Sequence, residues 1–476
     1  MPSLQLKSAP KPFVKPRYVV LVSSITESRC LRITLNPFSQ LTQQVRLLLY
    51  TNDIDLEGVI AVTSTWLPTE VHPETLHDIV TGYRLAHPNL LKHSSDYPTA
   101  EYIDSIIAAG NPTYGMAEIG EGHDSARSDL IIRVVDKEDE RMVHLGLWGG
   151  ANTLAQALWK VRSTRSKEEV DKFIAKVQVY AISDQDDAGP WIRRNFPMLR
   201  YIVTIAGQNS YGFATWSGIS ADIHVLFDGP DRSLVSKEWI AQHIQVGPLG
   251  AKYPTYKFIM EGDTPSYLGI IPNGLNVPER IDFGGWGGRY KKLLDPESQH
   301  YHDSNDQVIS PVDGKKRDGT LATLWRWRPE FQNDFAARMQ WTLDSPTTKP
   351  NHPPTVVVNG HDSFEPLNIT AHRGETITLD ATESFDVDGD ALKYEWFQYE
   401  EAEALLPAAF GVATLDFHGT ENQAALRVTM PEQTIFTVGF VTVNEHSQNF
   451  HIILRVTDDG IPALSRYKRV IVTVVE

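Results

Sequence analysis

The chain has 476 residues, which is enough for two to four domains, and its formal net charge is −16. A hydrophobic fraction of 41% excludes a chain that is disordered throughout, and the acidic balance argues against a nucleic-acid partner. The single cysteine, Cys30, excludes an internal disulfide, a zinc ribbon and CxxC redox chemistry, and no apolar run reaches the roughly 18–20 residues of a membrane span.

The N-terminal region is basic. Residues 1–46 contain seven Lys or Arg and one acid, Glu27, so they carry seven minus one, or +6, and the remainder carries −22. Residues 1–16 are predicted to form a flexible arm, because their prolines oppose an amphipathic helix. They lack the apolar core of a secretory signal, so a cytoplasmic location is the default expectation, while one glycosylation triplet at Asn368 leaves secretion open.

Residues 17–343 alternate between two patterns. Apolar, β-branched runs predict strands, and apolar residues at near-helical spacing predict helices. The predicted strands lie at 19–22, 59–63, 143–148, 177–182 and 201–205, and the predicted helices at 75–91, 98–109, 153–161 and 168–177. This alternation predicts an α/β domain with a doubly wound, mostly parallel sheet. Because ligands bind beyond the carboxyl ends of such strands, residues directly after strands are the candidate site.

A second domain follows a change of composition. Residues 344–354 contain four prolines and are predicted to be a linker. Short β patterns follow at 355–358, 375–379, 392–396, 425–428, 451–456 and 470–475. Their spacing predicts an all-β, Ig-like sandwich over residues 355–476.

Acidic motifs are the first candidates for chemistry. Asp184, Asp186 and Asp187 follow a predicted strand, and carboxylates this close repel one another unless they are solvated or neutralised, so a cleft role and a plain acidic loop fit equally well. Glu261 and Asp263 lie between apolar segments and fit either a ligand site or the capping acids of a helix. The acids at 53–57 are interpreted as a solvated connector rather than a metal cluster.

Other motifs are open to two interpretations. In the glycine-rich stretch at 284–290, Trp286 and Tyr290 either stack on a sugar ring or anchor a tight turn. The stretch Asp386 to Asp390 lacks the glycine and the glutamate that an EF-hand needs, and we favour a β-turn over another calcium site. No third ligand is evident for the histidines of His300-Tyr-His302, so we do not expect a metal there.

Several of these motifs occur together in one known family. They lie at 50–58, 61–66, 148–156, 182–189, 260–266 and 284–290. In that order they resemble the cellulose-binding, nucleoside-hydrolase-like family, and the stretches at 386–390 and 456–462 resemble the Ig-like module attached to it. The resemblance covers nearly the whole chain from about residue 45.

The resemblance implies calcium at the carboxyl ends of the strands, where a metal-bound water attacks the anomeric carbon as the glycosidic or N-glycosidic bond breaks. Asp263 would match a metal-ligand aspartate, and Asn152 would supply a backbone carbonyl ligand. The substrate-binding residues expected from the motifs and the resemblance are Trp66, Trp148, Asp184, Asp186, Asp187, Glu261, Trp286 and Tyr290.

The chain departs from the family at one place. The resemblance calls for an aspartate-rich motif after the first strand, which would supply most metal ligands and the catalytic base. Residues 23–44 contain no aspartate, so no catalytic residue is assigned. Three explanations fit: a wrongly predicted translation of residues 18–44, a pseudoenzyme, or partial replacement by Glu27 with hydroxyl groups. The abrupt return of the matches at Val45 favours the first.

Two functional hypotheses follow. One is a nucleoside-hydrolase-like glycosidase that uses metal-activated water, with doubtful activity because the aspartate motif is missing. The other is a non-catalytic carbohydrate-binding protein that recognises cellulose. Both imply a carbohydrate or nucleoside-like ligand, no nucleic acid and no membrane, and neither excludes an oligomer.

Overall fold

The computed structural model describes residues 13–23, 39–205, 208–220, 229–257, 259–344, 349–403, 413–417, 419–432, 435–438, 441–444 and 448–476. The chain divides into two compact units. The α/β unit comprises Lys15–Ile271 and Pro278–Lys349, and the β-rich unit comprises Met1–Val14, Pro272–Val277 and Pro350–Glu476. Most of the predicted arm, Cys30, Glu27 and most of the aspartate-free stretch lie outside the described residues.

The α/β unit alternates strands and helices along much of its length, as the sequence predicts. Its strands are β1 Arg17–Val22, β2 Asp55–Ala61, β3 Ile107–Ala109, β4 Val143–Trp148, β5 Val177–Ala181, β6 Arg200–Val203, β7 Tyr290–Lys292, β8 His300–Asp303, β9 Asp306–Ile309 and β10 Lys316–Gly319. Its helices are α1 Ser39–Leu48, α2 Pro73–Leu90, α3 Ala100–Ser105, α4 Ala126–Asp136, α5 Asn152–Thr164, α6 Lys167–Ala175, α7 Ala188–Asn195, α8 Lys237–His243, α9 Gly247–Gly250, α10 Pro265–Leu268, α11 Ala322–Trp325 and α12 Arg328–Gln340. Among the described residues, no helix is both long and apolar enough to cross a bilayer.

The main sheet has the order β3-β2-β1-β4-β5-β6-β8-β7, and all neighbours are parallel except β7 and β8. Every residue of β1 and β4 is buried, which explains their continuous apolar runs, since strands of a parallel sheet are covered on both faces. The chain order reverses between β1 and β4. A crevice for a ligand is expected at such a reversal, beyond the carboxyl ends of the strands.

The β-rich unit contains β11 Leu367–His372, β12 Thr376–Asp380, β13 Leu392–Gln398, β14 Ala425–Thr429, β15 Ile435–Val438, β16 Val441–Asn444, β17 Gln448–Asp458, β18 Ser465–Val475 and the short helix α13 Glu400–Glu403. One sheet has the order β11-β18-β17-β13, and β12 pairs with β14. Apolar side chains from both form one buried core. The unit is thus β-rich with largely antiparallel sheets, and its Ig-like assignment stays a prediction.

Two sequence predictions differ from the structure. The predicted helix at 98–109 is a short helix, α3, followed by strand β3, because Ile107–Ala109 pair with the edge of β2. Residues 272–277 were placed in the α/β domain but belong to the β-rich unit. The amides of Tyr467 and Arg469 in β18 donate to the carbonyls of Asn273 and Gly274, at 2.9 and 3.0 Å.

A buried ion pair joins distant parts of the α/β unit. Arg46 of α1 and Glu261 are both fully buried, with 2.9 Å between Nη1 and Oε2. The hydroxyls of Tyr253 and Thr264 also donate to the Glu261 carboxylate, at 2.8 and 2.7 Å. The Arg46 guanidinium donates further to Gln332 and to the Phe331 carbonyl. Because each charge is hydrogen-bonded on several sides, the pair is tolerated in the core.

Replacing Glu261 with glutamine is expected to destabilise the α/β unit, because it leaves the Arg46 charge buried without a counter-ion. Breaking a buried pair costs about 3–5 kcal/mol. Urea denaturation followed by tryptophan fluorescence measures the change. Glu101→Gln, which breaks an exposed pair with Arg84, is the control and should leave the midpoint unchanged. Equal midpoints for the two variants would contradict the interpretation.

Candidate functional site

The carboxyl ends of the central strands meet in one hydrogen-bonded cluster. Ser23 after β1 donates to Ser64 after β2, with 2.8 Å between the hydroxyl oxygens. The Gly150 amide after β4 donates to the Thr63 carbonyl at 2.7 Å, and the Asn152 side chain donates to the Thr63 hydroxyl at 3.2 Å. We call this cluster the strand-end site.

The Asp186 carboxylate closes the strand-end site from the β5 side. Its two oxygens accept the amides of Asn152 and Ala188, at 3.2 and 3.0 Å, so one carboxylate serves the first turns of both α5 and α7. Gly150 leaves the room it needs, because a Cβ there would lie 2.3 Å from Asp186 Oδ2. Burial raises the pKa of Asp186 to about 6, against the lowering effect of these backbone donors.

The other two acids of this loop have different partners. Asp184 forms a two-bond ion pair with Arg193, at 2.8 and 2.7 Å. Asp187 is exposed and accepts the Met116 amide at 2.9 Å. The three carboxylates therefore serve three separate functions, and the repulsion expected from their spacing is relieved by separate donors. Of the three, only Asp186 bonds within the strand-end site.

Asp263 and Trp148 lie beneath the site. Ser266 donates to the Asp263 carbonyl at 2.6 Å, and its oxygen accepts from Trp148 Nε1 at 2.7 Å and from the Tyr18 hydroxyl at 3.0 Å. The Asp263 carboxylate is buried, and burial raises its pKa well above the usual range. Gln43 lies beside it, although neither polar atom of the Gln43 amide has a hydrogen-bond partner.

Three of the four aromatic residues predicted to bind the substrate are buried. Trp148 and Trp286 are fully buried, and Tyr290 packs edge-on against Tyr180, with their hydroxyls in contact. Their side chains fill the core and present no exposed face, and their predicted role in substrate binding stays a prediction. The turn with an anchoring tryptophan is the interpretation that fits residues 284–290. Trp66 remains partly exposed in the loop after β2.

Glu261 and Asn152 are also placed by the structure. The Glu261 carboxylate is fully enclosed by Arg46 and two hydroxyls, so it does not line a cleft. Asn152 is the first residue of α5, and its side-chain amide donates to the carbonyls of Asn111 and Thr113 at 3.3 and 2.8 Å. These bonds tie the segment after β3 to the strand-end site.

An open groove of about 540 Å³ lies beside the strand-end site. It is lined by Thr65, Pro68, Thr69, Pro112, Thr113, Tyr114 and Ala117. Tyr114 is 36% exposed; burial raises its pKa, and the nearby Asp186 and Asp187 carboxylates act in the same direction. Apolar surfaces flanked by threonine hydroxyls suit a ligand that has both CH faces and hydroxyl groups.

Sequence reasoning missed Tyr114 and Pro112. The signal was present, because 110–114 directly follow strand β3 and polar or glycine-rich residues after strands mark the site. The prediction of a helix through 98–109 hid that strand. Trp66, which the sequence did single out, belongs to the loop that supplies the other wall, Thr65 to Thr69.

Comparison with known proteins gives the family. Residues 40–290 match the nucleoside hydrolase-like domain of cellulose-binding Sde182, and residues 376–474 match the C-terminal domain of cellulose-binding protein Sde0182. The chain belongs to this family. No curated protein is significantly similar to the chain. The match starts at residue 40, close to the point where the motifs resume in the sequence.

A solved structure supports the same assignment. It is a nucleoside hydrolase-related hypothetical protein from Saccharophagus degradans that is associated with carbohydrate metabolism. The two chains are 33% identical, and the match covers 97% of this chain and 100% of that one, with a TM-score of 0.77. The α/β unit therefore has a nucleoside-hydrolase-like fold.

The strand-end site does not fit the calcium that this fold implies. Within the described residues, the one group of three or more acids, histidines or cysteines in reach of a shared metal is in the β-rich unit, not at the strand ends. Asp263 is the one aspartate that the resemblance assigned to the metal there, and no aspartate precedes Asp53 in the sequence. Calcium needs six to eight oxygen ligands, including charged ones.

The raised pKa of Asp186 predicts a pH effect on stability. The folded state holds this proton up to about pH 6 and the unfolded state only to about 4, so the free energy of unfolding falls as pH rises between those values. Asp186→Asn should remove this component, whereas Asp187→Asn, at an exposed position, should keep it. Urea denaturation of all three proteins from pH 4 to 7 measures it. Parallel curves for wild type and Asp186→Asn would contradict it.

Proposed function

We propose that this chain is a non-catalytic carbohydrate-binding protein that takes a β-glucan such as cellulose in the groove beside the strand-end site. One observation carries the proposal: this groove lies beside strand ends whose described residues present no catalytic set of acids. The description of the matching family as cellulose-binding supports the choice of ligand.

The groove has the chemistry of a glucan subsite. The Tyr114 ring is exposed between Pro112 and the threonines at 65 and 69, so a pyranose ring would meet an aromatic or proline face and hydroxyl groups together. None of the described residues that line the groove has a charged side chain. A neutral polymer therefore binds there without leaving a buried charge unpaired.

Three of the acids predicted to bind the substrate are already engaged within the fold. Both Asp186 oxygens accept backbone amides, Asp184 is paired with Arg193, and Glu261 is paired with Arg46. Hydrolysis of a glycosidic bond requires an acid and a second carboxylate or a metal-bound water beside the anomeric carbon. In the described part of the chain these groups instead hold the fold together.

One observation favours the hydrolase as a second candidate. Asp186 lies near the groove and has a pKa of about 6, which suits a general acid at neutral pH. Such a role would require Asp186 to leave the amides of α5 and α7 during the reaction. We therefore rank binding above hydrolysis.

Retention on cellulose tests the binding surface. Tyr114→Ala should weaken binding to insoluble cellulose roughly two- to tenfold, because an aromatic contact contributes about 0.5–1.5 kcal/mol. Tyr102→Ala removes a tyrosine of similar exposure, 43%, outside the groove and should bind like wild type. Depletion isotherms give the affinities. No retention of wild type, or equal losses in both variants, would contradict the proposal.

Product analysis tests the absence of hydrolysis. Wild type incubated with cello-oligosaccharides and with nucleosides, in calcium and in chelator, should release no sugar above the blank. The opposite result is calcium-dependent release that disappears in Asp263→Asn and Asp186→Asn. That result would assign a hydrolase to this chain and would overturn the non-catalytic proposal.

A further inference from the structure

The β-rich unit contains a close group of carboxylates that the proposed function does not use. Asp386, Asp388 and Asp390 follow one another at alternate positions in the loop before β13, and one oxygen of each lies within 4.8 Å of the others. Asp386 Oδ1 accepts the amides of Asp388 and Asp390, at 2.7 and 3.3 Å. The loop therefore gathers three negative charges on one side.

A fourth carboxylate supplies an independent observation. Asp458, at the end of β17, is only 3% exposed. Its Oδ1 accepts three donors: Asn351 Nδ2 at 2.9 Å, the Gly460 amide at 3.0 Å and the Leu464 amide at 2.9 Å. Its Oδ2 is buried without any hydrogen-bond partner. A buried carboxylate oxygen without a hydrogen-bond partner lowers the stability of the folded state unless a proton or a cation binds to it.

The two loops are held against each other. The Ala391 amide donates to Asp459 Oδ1 at 2.8 Å, and the His352 amide donates to Asp388 Oδ2 at 2.8 Å while neighbouring Asn351 binds Asp458. Asp386 Oδ2 is likewise enclosed without a hydrogen-bond partner. The Asp386 carboxylate lies close enough to Asp458 to repel its negative charge. Two orphaned oxygens of like charge thus occur in adjoining loops.

We propose that Asp386, Asp388, Asp390 and Asp458 bind a calcium ion in the β-rich unit. The donors are hard carboxylate oxygens without sulfur, which excludes a preference for soft metals. A loop of alternating aspartates adjusts to the irregular, high coordination of calcium more readily than to the strict octahedron of magnesium. The β-turn that the sequence favours at Asp386 to Asp390 would thus also hold the cation.

Calorimetric titration of the full chain tests this site. Wild type stripped with chelator should bind calcium, and Asp390→Asn and Asp458→Asn should each weaken that binding at least tenfold. Glu383→Gln removes one exposed negative charge near the loop and should change the affinity less than twofold. Asp263→Asn should behave like Glu383→Gln, which separates this site from any metal in the α/β unit.

Three results would overturn the proposal. The first is no calcium binding by wild type at millimolar concentrations. The second is an unchanged affinity in Asp390→Asn, which decides the matter even where Asp458→Asn fails to fold, because Asp390 is partly exposed. The third is equal affinity for magnesium, which would remove the assignment to calcium. None of these outcomes depends on whether the chain binds cellulose.

Discussion

The strand-end site depends on one buried carboxylate. Asp186 accepts amides from the first turns of α5 and α7, and so fixes where both helices begin relative to β4 and β5. Gly150 is required next to it, since any Cβ would strike the carboxylate. Burial raises the pKa of Asp186 to about 6, and the backbone donors partly offset that rise because they stabilise the charged carboxylate. Because both oxygens of Asp186 accept backbone amides, the carboxylate holds α5 and α7 in place.

This use of acids separates the chain from the chemistry that its fold suggests. A nucleoside-hydrolase-like sheet offers an open end where several strands could present ligands to one metal. Here Glu261 is paired with Arg46, Asp184 is paired with Arg193, and Asp263 is buried. Beside these engaged groups lies an uncharged groove with an exposed tyrosine. These contacts support the proposal that the α/β unit holds a neutral glycan without hydrolysing it.

Much of the fold could be predicted from local patterns, because β1 and β4 are apolar runs buried on both faces. The place of the site could also be predicted, because ligands of such sheets bind beyond the carboxyl ends of the strands, where the strand order reverses. The positions of single side chains could not. Trp148 precedes a glycine turn and Trp286 lies within another, and both turns look like ligand loops, yet the surrounding fold buries both rings. Likewise, the sequence around Glu261 does not predict its ion pair with Arg46. Nor does it predict that the segment 272–277 hydrogen-bonds to β18, nearly two hundred positions later. In each of these cases, contacts between segments that are far apart in the sequence determine where the side chain or strand lies.

The most direct test is a crystal structure of the chain grown with a cello-oligosaccharide and calcium together. The account predicts sugar density against Tyr114, between the segments 65–69 and 112–117, with no metal beside Asp263. Sugar bound at the strand ends in contact with a metal held by Asp263 would contradict it, because that arrangement is the one a nucleoside-hydrolase mechanism needs.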